Sequence, residues 1–508
     1  MIELGNRREV FFDTFLVDEE KTTAKHRLAK PVRKGVVITH NEPWEGKYCL
    51  FSSVFCVDGK WRLYYRSGSG EPGKTCIAYA ESTDGVNWVK PALGIVDMGG
   101  VPNNIVISMD VAREWGCKHL NDCHVFYDTK PDCPKDERFK AVISTGGDDT
   151  LISLVSEDGF HFRYHALMTD KGAFDSQNLA FWSAEHGKYF CYFRCEHIPN
   201  GEATFEEYSL LQATANRLWD EGTYSTRLPA PEDESAKMMR DVHVMESDDF
   251  IHWTESKLIG LRDDKVQLYT NVVSPYPRAP HVFVGFPTRY HERKAWTPNY
   301  DELCGREDRL NKIKRQYARA GLVITDGLFM CSRDGYSFVR YDEAFLPPPP
   351  EHPHSWVYGD GYVTAGLIET KSDIPGADNE YSIYVGENYG SSLGYDQLVR
   401  YTVRLDGFAS YRAGESEEVL LTKEFTYDGT ELYANIATSA KGYAYFTLSS
   451  GDEEYTSYEI FGNSVDKRIR FVDPNAVARL RGKPVTLRIR MMDADIYAIR
   501  FGEISDEG

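Results

Sequence analysis

The segment Ser82-Thr83-Asp84-Gly85-Val86-Asn87-Trp88 contains a turn phrase, Ser-x-Asp-Gly-x-x-aromatic, that recurs along this chain of 508 residues. Its later copies begin at Ser156, Ser247 and Ser332, so the serines recur at intervals of 74 to 91 residues. The third copy has Phe250 where the others have glycine. Repetition at such a period is typical of one supersecondary unit that is stacked several times. Asp-Gly is turn chemistry, because aspartate caps its own backbone and glycine accepts a positive φ.

Between the turn phrases, short β-branched and aromatic runs alternate with Gly/Asp turns, a pattern that predicts strands. One tight turn per four-stranded unit is what a blade of a β-propeller needs. We count five units, with a weaker fifth copy of the phrase at Leu405-Asp406-Gly407-Phe408. We therefore predict an all-β fold, with a five-bladed β-propeller over residues 1–412 and a helical insertion at about 300–320. Strand-like alternation without the phrase predicts a C-terminal β-sandwich over residues 413–508.

The composition excludes several classes of partner. The formal net charge is −20, which predicts that the protein binds neither nucleic acid nor an anionic membrane surface. No run of 18 apolar residues and no secretory signal is visible, and the ten cysteines show no paired zinc spacing. We therefore expect a cytoplasmic protein with free thiols, no disulfide, no cofactor and no catalytic metal. The formation of a homo-oligomer is left open.

The segment Asn121-Asp122-Cys123-His124-Val125-Phe126 starts the second unit. It resembles the Arg-Asp-Pro-x-Val-Phe motif of the five-bladed glycoside hydrolases of families 32, 43 and 68, whose aspartate stabilises the transition state. The predicted propeller followed by a sandwich is similar to the architecture of that superfamily. The Asn-Asp-Pro-Asn-Gly and Glu-Cys-Pro motifs of family 32 have no counterpart in this chain. The turn phrase is also similar to one in the mannoside phosphorylases of family 130, a more distant resemblance.

Propeller geometry predicts where chemistry would concentrate. The innermost strand of each blade lines the central channel, so the starts of first strands and the ends of second strands meet at one mouth. Cleavage of a glycosidic bond requires two carboxyl groups across that bond, and arginines can hold hydroxyl, carboxylate or phosphate groups. The predicted catalytic residues at this mouth are Asp122, Asp175, Glu387 and Glu196. The predicted substrate-binding residues are Glu45, Arg66, Arg194, Asn271, Arg289, Asp360 and Trp44.

These features predict a glycoside hydrolase that cleaves small oligosaccharides or glycosides with paired carboxylates at the channel mouth. Two alternatives remain open on the residues alone. A glycoside phosphorylase would use the arginines at the mouth to hold inorganic phosphate. A non-catalytic carbohydrate-binding propeller would need aromatic and amide side chains, but it would not need several converging acids.

Overall fold

The computed structural model describes residues 1–68, 74–146, 150–197, 239–261, 266–293, 297–315, 321–390 and 394–503 of the chain. Five antiparallel sheets follow one another in the sequence and form the blades of a five-bladed β-propeller. The predicted fold class is thereby confirmed. Within blades I to IV the strands neighbour one another in sequence order, so each blade is a meander of short connections.

The bounds of the blade strands are as follows. Blade I contains Ser53–Val57, Lys60–Gly68, Thr75–Ser82 and Ile105–Ile107. Blade II contains Cys123–Tyr127, Phe139–Ser144, Leu151–Ser156 and Arg163–Thr169. Blade III contains Leu179–Ser183, Lys188–His197, Met239–Ser247 and Lys257–Leu258. Blade IV contains Ser274–Tyr276, Ala279–Gly285 with Thr288–Glu292, Val323–Gly327 with Met330–Ser332, and Phe338–Arg340. Blade V contains Tyr362–Val363 with Ile368–Thr370, Glu380–Glu387, Gln397–Arg404 and Val32–Thr39.

Few helices accompany these sheets. The helices Pro298–Glu302 and Arg306–Arg315 lie between the second and third strands of blade IV. Tyr300 and Leu303 of this insertion pack with Leu322 and Ile324 of the blade in a small hydrophobic cluster. The other helical segments among the described residues are Met109–Glu114, the 3₁₀ turn Lys135–Glu137, and Ala476–Leu480.

Blade V takes its outermost strand from the N-terminal part of the chain. Val32–Thr39 pairs in antiparallel fashion with Gln397–Arg404, the third strand of this blade. One sheet therefore joins an early segment of the chain to the last strand of the propeller, which closes the ring through hydrogen bonds. Four copies of the turn phrase belong to blades I to IV, while a strand that precedes the first copy completes the fifth blade.

Each copy of the turn phrase folds in the same way. In the first copy, the backbone N–H of Gly85 donates to Ser82 Oγ at 2.9 Å. The N–H groups of Val86 and Asn87 both donate to Asp84 Oδ1 at 2.8 Å. The same contacts recur in the three later copies. The turn therefore satisfies its own backbone donors at the rim of the blade, where no strand partner is present.

The phenylalanine of the third copy fits because the neighbouring blade leaves room for its ring. Phe250 has a φ of 66°, the left-handed conformation of the glycines in the other copies, and its side chain is fully buried. In blade I, Tyr64 of the second strand donates to the carbonyl of Gly159 in the turn of the next blade, at 3.0 Å. Blade II has the smaller Val142 at this strand position, and Val142 packs in the same hydrophobic cluster as Phe250. The ring of Phe250 thus fills the space that the tyrosine would occupy.

Removal of the turn carboxylate should produce a modest, pH-dependent loss of stability. Burial acts to raise the pKa of Asp84, but the donors from Asn87, Val86 and Ser82 outweigh it and lower the pKa. A group with a lowered folded-state pKa contributes fully above its unfolded value of about 4, and its contribution is lost as the pH falls further. We expect Asp84→Ala to lower the free energy of unfolding by about 1 kcal/mol at pH 7, as for a lost cap. Urea titrations at pH 7 and pH 3.5 should show a smaller difference at pH 3.5, and a pH-independent difference would contradict the assignment.

The C-terminal region forms a sheet that is separate from the five blades, and strands from the N-terminal part of the chain also belong to it. Its eight strands are Arg8–Val10, Lys25–Leu28, Ala409–Ala413, Glu418–Leu421, Glu431–Ser450, Glu453–Thr456, Asn463–Ile469 and Thr486–Gly502. A separate parallel pair joins Ile2–Gly5 to Phe425–Tyr427. The two longest strands are Glu431–Ser450 and Thr486–Gly502, and residues from both halves of each belong to one hydrophobic cluster. A shared core of this kind is what the predicted β-sandwich requires.

This pairing changes the domain division that we propose. The sequence predicts residues 1–412 as propeller, but Arg8–Val10 pairs with Thr486–Gly502 and Lys25–Leu28 pairs with Ala409–Ala413. The two N-terminal strands are only three and four residues long, so their sequence does not reveal which sheet they join. We propose that residues 1–28 belong with the C-terminal sheet and that the propeller spans residues 32–404.

Two global features bear on the environment of the chain. All ten cysteines are free thiols. Among the residues that the structure describes, no helix combines the length and the apolar character needed to span a bilayer.

Candidate active site at one mouth of the propeller channel

Charged side chains from blades I, II and III converge at one mouth of the channel. Asp122 and Asp175 lie just before the first strands of blades II and III. Arg66 and Arg194 lie near the ends of the second strands of blades I and III. First-strand starts and second-strand ends face the same mouth, as the antiparallel order predicts. Their electrostatic contacts, described next, show that these groups are neighbours.

Asp122 is fully buried and tightly held. Ser144 Oγ donates to Asp122 Oδ1 at 2.9 Å, and Asn178 Nδ2 donates to Oδ2. Burial raises the pKa of Asp122 well above its ordinary value, and the negative charge of Asp175 raises it further. Asp175 itself is exposed at the mouth. The two aspartates are therefore close and electrostatically coupled, with Asp122 as the member that favours the protonated form.

Arg66 lies between blades II and V. Arg66 is only 8% exposed. Its positive charge lowers the pKa of Asp122 and that of Asp396, but burial raises each of these pKa values by more. Its positive charge also acts on Tyr389 of blade V. Asp396 accepts from the backbone N–H of Cys49 at 2.8 Å, and burial raises its pKa to about 8. Nε of Arg66 is buried without a hydrogen-bond partner among the described residues.

Blade III adds two more arginines and a glutamate. Arg194 donates through Nε to the carbonyl of Ala173 at 2.8 Å and lies 3.8 Å from Glu196. Arg240, on the third strand, donates to Gln267 Oε1 at 2.8 Å. Glu196 pairs directly opposite Arg240 in the sheet and is 7% exposed. We call Arg66, Asp122, Asp175, Arg194, Glu196 and Arg240 the mouth site.

Five tyrosines from blades IV and V face these charges, and we call them the tyrosine wall. They are Tyr269, Tyr290, Tyr358, Tyr362 and Tyr389. Neighbouring rings of the wall have centroids 5.7 to 6.2 Å apart. Arg240 lies 4.3 Å from the ring centre of Tyr290, and Arg194 lies 5.5 Å from that of Tyr269. The Tyr269 hydroxyl donates to the carbonyl of Asp175 at 3.3 Å. Aromatic faces and charged groups thus share one concave rim.

Below the mouth, amide side chains cross between the blades. Gln177 Nε2 donates to the carbonyl of Ser52 at 3.0 Å, and Asn271 Nδ2 donates to the carbonyl of Gln177 at 3.3 Å. Asn271 is fully buried. The sequence predicts that Asn271 contacts the substrate. In the structure, its amide links blades III and IV.

Glu45 and Trp44 lie in a different cluster of blade I. Glu45 accepts from the Tyr65 hydroxyl at 2.6 Å and from Lys90 Nζ at 2.7 Å. Burial opposes the ionised form, but the donors His40, Lys90 and Tyr65 outweigh it and lower the pKa of Glu45 to about 2. Trp44 donates to Asn104 Oδ1 at 2.8 Å. These contacts assign both residues to the structure of blade I.

Arg289 and Glu387 are each held in an ion pair. Arg289 binds Asp326 through both Nε and Nη2. Because Tyr290 faces the mouth, its neighbour Arg289 faces the other side of the sheet. Arg33 donates to both carboxylate oxygens of Glu387, at 3.0 and 2.9 Å, and the Tyr401 hydroxyl adds a third contact at 2.8 Å.

Asp360 lies beside the insertion of blade IV. Its carboxylate accepts from the backbone N–H of Val357 at 3.1 Å. Burial raises its pKa to about 7, despite the nearby charge of Arg309 on the second helix of the insertion. Among the described residues, no group of three or more His, Cys, Asp or Glu side chains is arranged to hold a metal ion.

Comparisons with known proteins give no family assignment for this chain. No family model matches the chain, and no curated protein sequence matches it. Among solved structures, a glycosyl hydrolase from Bacteroides ovatus is 15% identical, with a TM-score of 0.42, over 75% of this chain and 97% of that one. A structure reported for the family 130 mannoside phosphorylases, which include hydrolases of β-1,2-mannosidic linkages in Candida mannan, is 14% identical, with a TM-score of 0.40, over 74% and 94%.

A third structure has a different activity. An N-acetylgalactosamine deacetylase from F. plautii, in complex with blood group B trisaccharide, is 10% identical, with a TM-score of 0.42, over 74% of this chain and 95% of that one. These TM-scores carry no argument about chemistry, which rests on the side chains of the mouth site and the tyrosine wall.

Proposed function

We propose that this protein is a glycoside hydrolase that binds its sugar between the mouth site and the tyrosine wall. The observation that carries this proposal is the convergence of Asp175 and Glu196 with three arginines on one side and five tyrosine rings on the other. Sugars present apolar faces that pack on aromatic rings, and they present hydroxyls that bind arginines and carboxylates. The tyrosine rings are buried or half-buried, so the proposal requires the sugar to pack on the edge of the wall beside the exposed Asp175.

Asp122 and Asp175 differ in their exposure to solvent, and this difference suggests a division of roles. Asp175 is exposed, so a bound sugar can reach its carboxylate directly, whereas Asp122 has no exposed surface. Burial raises the pKa of Asp122 and so favours its protonated form, which reduces the negative charge beside Asp175. We assign the direct chemistry to Asp175 and Glu196, and assign Asp122 the tuning of Asp175. Asp122 is thus a positioning residue in this proposal, which modifies the direct role expected from the sequence.

A hydrolase with this site needs two carboxyl groups, one to assist the leaving group and one to attack or to activate water. Asp175 lies just before the first strand of blade III, and Glu196 lies near the end of the second strand, beside Arg194. Arg194 lies close to Glu196 and within range of Tyr269, so it can orient both a carboxylate and the sugar on the wall. Glu387, which is fully engaged by Arg33 and Tyr401, is left out of this scheme.

A substrate panel tests the proposal. Purified protein should release free reducing sugar from at least one aryl glycoside or natural oligosaccharide in phosphate-free buffer. Added inorganic phosphate should leave the rate unchanged and yield no sugar phosphate. A rate that depends on phosphate, with sugar phosphate as the product, would show the phosphorylase alternative to be correct.

The three arginines of the mouth site are the observation that keeps a phosphorylase as the second candidate. The tyrosine wall alone would also suit a non-catalytic carbohydrate-binding propeller. Sugar binding that quenches tyrosine fluorescence, without turnover of any member of the panel under either condition, would favour that binding function.

A further inference from the structure

Arg66 is a buried cation that forms no ion pair with a residue that the structure describes. Its residue is more than nine-tenths buried, and its Nε has no partner in the described part of the chain. A buried guanidinium normally forms forked hydrogen bonds with a carboxylate or phosphate. An unpaired buried charge is costly, so proteins retain one chiefly where a ligand supplies the counter-charge.

The carboxyl groups around Arg66 are committed elsewhere. Asp122 accepts from Ser144 and Asn178 with its two oxygens. Asp396 accepts from the backbone N–H groups of Cys49 and Gly390, at 2.8 and 3.2 Å. Burial raises the pKa of both aspartates, to about 8 for Asp396, which favours their neutral forms and reduces the charge that they offer Arg66.

The position of Arg66 is suited to a bound ligand. Its charge acts on Asp122 of blade II and on Tyr389 of blade V, so it lies at the rim between the mouth site and the tyrosine wall. A sugar that packs on the wall near Tyr389 would place its substituents within reach of this guanidinium. The same sugar would have its scissile bond toward Asp175 and blade III.

We propose that Arg66 binds a carboxylate carried by the substrate, so that the preferred substrate is a glycoside of a uronic acid. This inference rests on the proposed function for the same site. A guanidinium presents parallel N–H donors in one plane, and the two oxygens of a sugar carboxylate can accept from them as a fork. A carboxylate would thereby supply both a hydrogen-bond acceptor for the unpartnered Nε and a counter-charge.

Matched substrate pairs test this proposal. We expect wild-type kcat/KM for an aryl glucuronide or galacturonide to exceed that for the matching glucoside or galactoside by about tenfold or more. Arg66→Met should remove most of that preference by lowering uronide turnover much more than hexoside turnover. Arg66→Lys should restore part of it. Arg163→Met, at an exposed arginine on the outer strand of blade II, is the matched control and should keep the wild-type preference.

The stability of the variant separates a ligand-binding role from a structural one. Because Arg66 has no described ion-pair partner, Arg66→Met should unfold at a temperature no lower than that of the wild type. A substantially lower unfolding temperature, or an equal loss of uronide and hexoside turnover, would overturn the proposal.

Calorimetry keeps the inference testable if no glycoside is turned over. Glucuronate or galacturonate should bind wild-type protein more tightly than the neutral sugar does, and Arg66→Met should lose that difference. Such binding without turnover would refute the hydrolase proposal and support the carboxylate site. If inorganic phosphate alone binds in an Arg66-dependent manner and uronates do not, the carboxylate assignment is wrong.

Discussion

Replacement of Asp175 by asparagine should lower kcat/KM for the glycoside substrate by about 10²–10³-fold, while the protein remains folded. Asp175 is the exposed carboxylate of the coupled pair, so a bound sugar can reach it without rearrangement of the propeller. Asparagine keeps the shape of the side chain and removes the charge that stabilises an oxocarbenium-like transition state. Glu196→Gln should cause a loss of similar size if Glu196 is the second carboxyl group.

Asp122→Asn provides the matched comparison for Asp175→Asn. Burial raises the pKa of Asp122 and favours its neutral form, which the amide of asparagine mimics, so Asp122→Asn should preserve most turnover at pH 7. In the wild type, Asp122 ionises as the pH rises through its raised pKa, which puts a second charge beside Asp175 and should lower activity. Asp122→Asn should lack this alkaline loss in a pH–rate profile. Near-wild-type turnover of Asp175→Asn at all pH values would place the active site elsewhere.

Asp406→Ala should lower the free energy of unfolding by about 3–5 kcal/mol. Asp406 is fully buried where the chain passes from Gln397–Arg404 into the C-terminal sheet. Its carboxylate accepts from Arg8 and Arg278, both at 3.0 Å, and from the Tyr276 hydroxyl at 2.7 Å. Alanine would leave two largely buried guanidinium groups without their shared counter-charge.

Urea unfolding followed by circular dichroism measures this effect. The control is Glu343→Ala, which removes a carboxylate that is 60% exposed and 3.2 Å from the Nζ of Lys30, itself 48% exposed. A solvent-exposed ion pair of this kind contributes about 0–1 kcal/mol, so the control should unfold close to the wild type. An exposed ion pair contributes no more than about 1 kcal/mol to the free energy of unfolding. If Asp406→Ala lowers that free energy by less than this, the junction does not hold the N-terminal and C-terminal segments together.

The propeller could be predicted because its signal is local and repeated. Ser82 and Asp84 accept from the backbone N–H groups of the turn's own residues, so the phrase carries its local structure wherever it occurs. The weaker fifth copy at Asp406 has a different role, because its carboxylate binds Arg8 and Arg278 at the junction. Closure of blade V by Val32–Thr39 depends on a pairing across more than 350 residues, which no local pattern encodes.

The positions of the proposed site residues could be predicted where they depend on strand ends, but not where they depend on the direction of a side chain. Arg66, Asp122, Asp175, Arg194 and Glu196 follow from the rule that first-strand starts and second-strand ends share a mouth. The same rule cannot show that Arg289 faces away from the mouth, since a strand reverses its faces at every residue. It also cannot show that Lys90, Tyr65 and His40 surround Glu45, because these partners come from separate segments.

The tyrosine wall and Arg240 were missed for related reasons. Tyr358 lies outside the strands, while Tyr269 and Tyr290 lie on either side of the first strand of blade IV. Tyrosine is abundant in this chain, with 32 residues, so no single tyrosine stands out from the composition. A usable signal was the Tyr-Gly-x-Gly-Tyr segment that carries Tyr358 and Tyr362, in which glycines allow close approach of the backbone.

The crystal structure of the Asp175→Asn variant with the best substrate of the panel tests the central claim most directly. We predict that the sugar lies in the channel mouth, with one face on the tyrosine wall and its glycosidic oxygen between the substituted side chain at position 175 and Glu196. We also predict that a carboxylate of the sugar forms forked hydrogen bonds with Arg66. A substrate bound on the C-terminal sheet, or at the mouth with its glycosidic bond away from position 175 and Glu196, would contradict the proposed site.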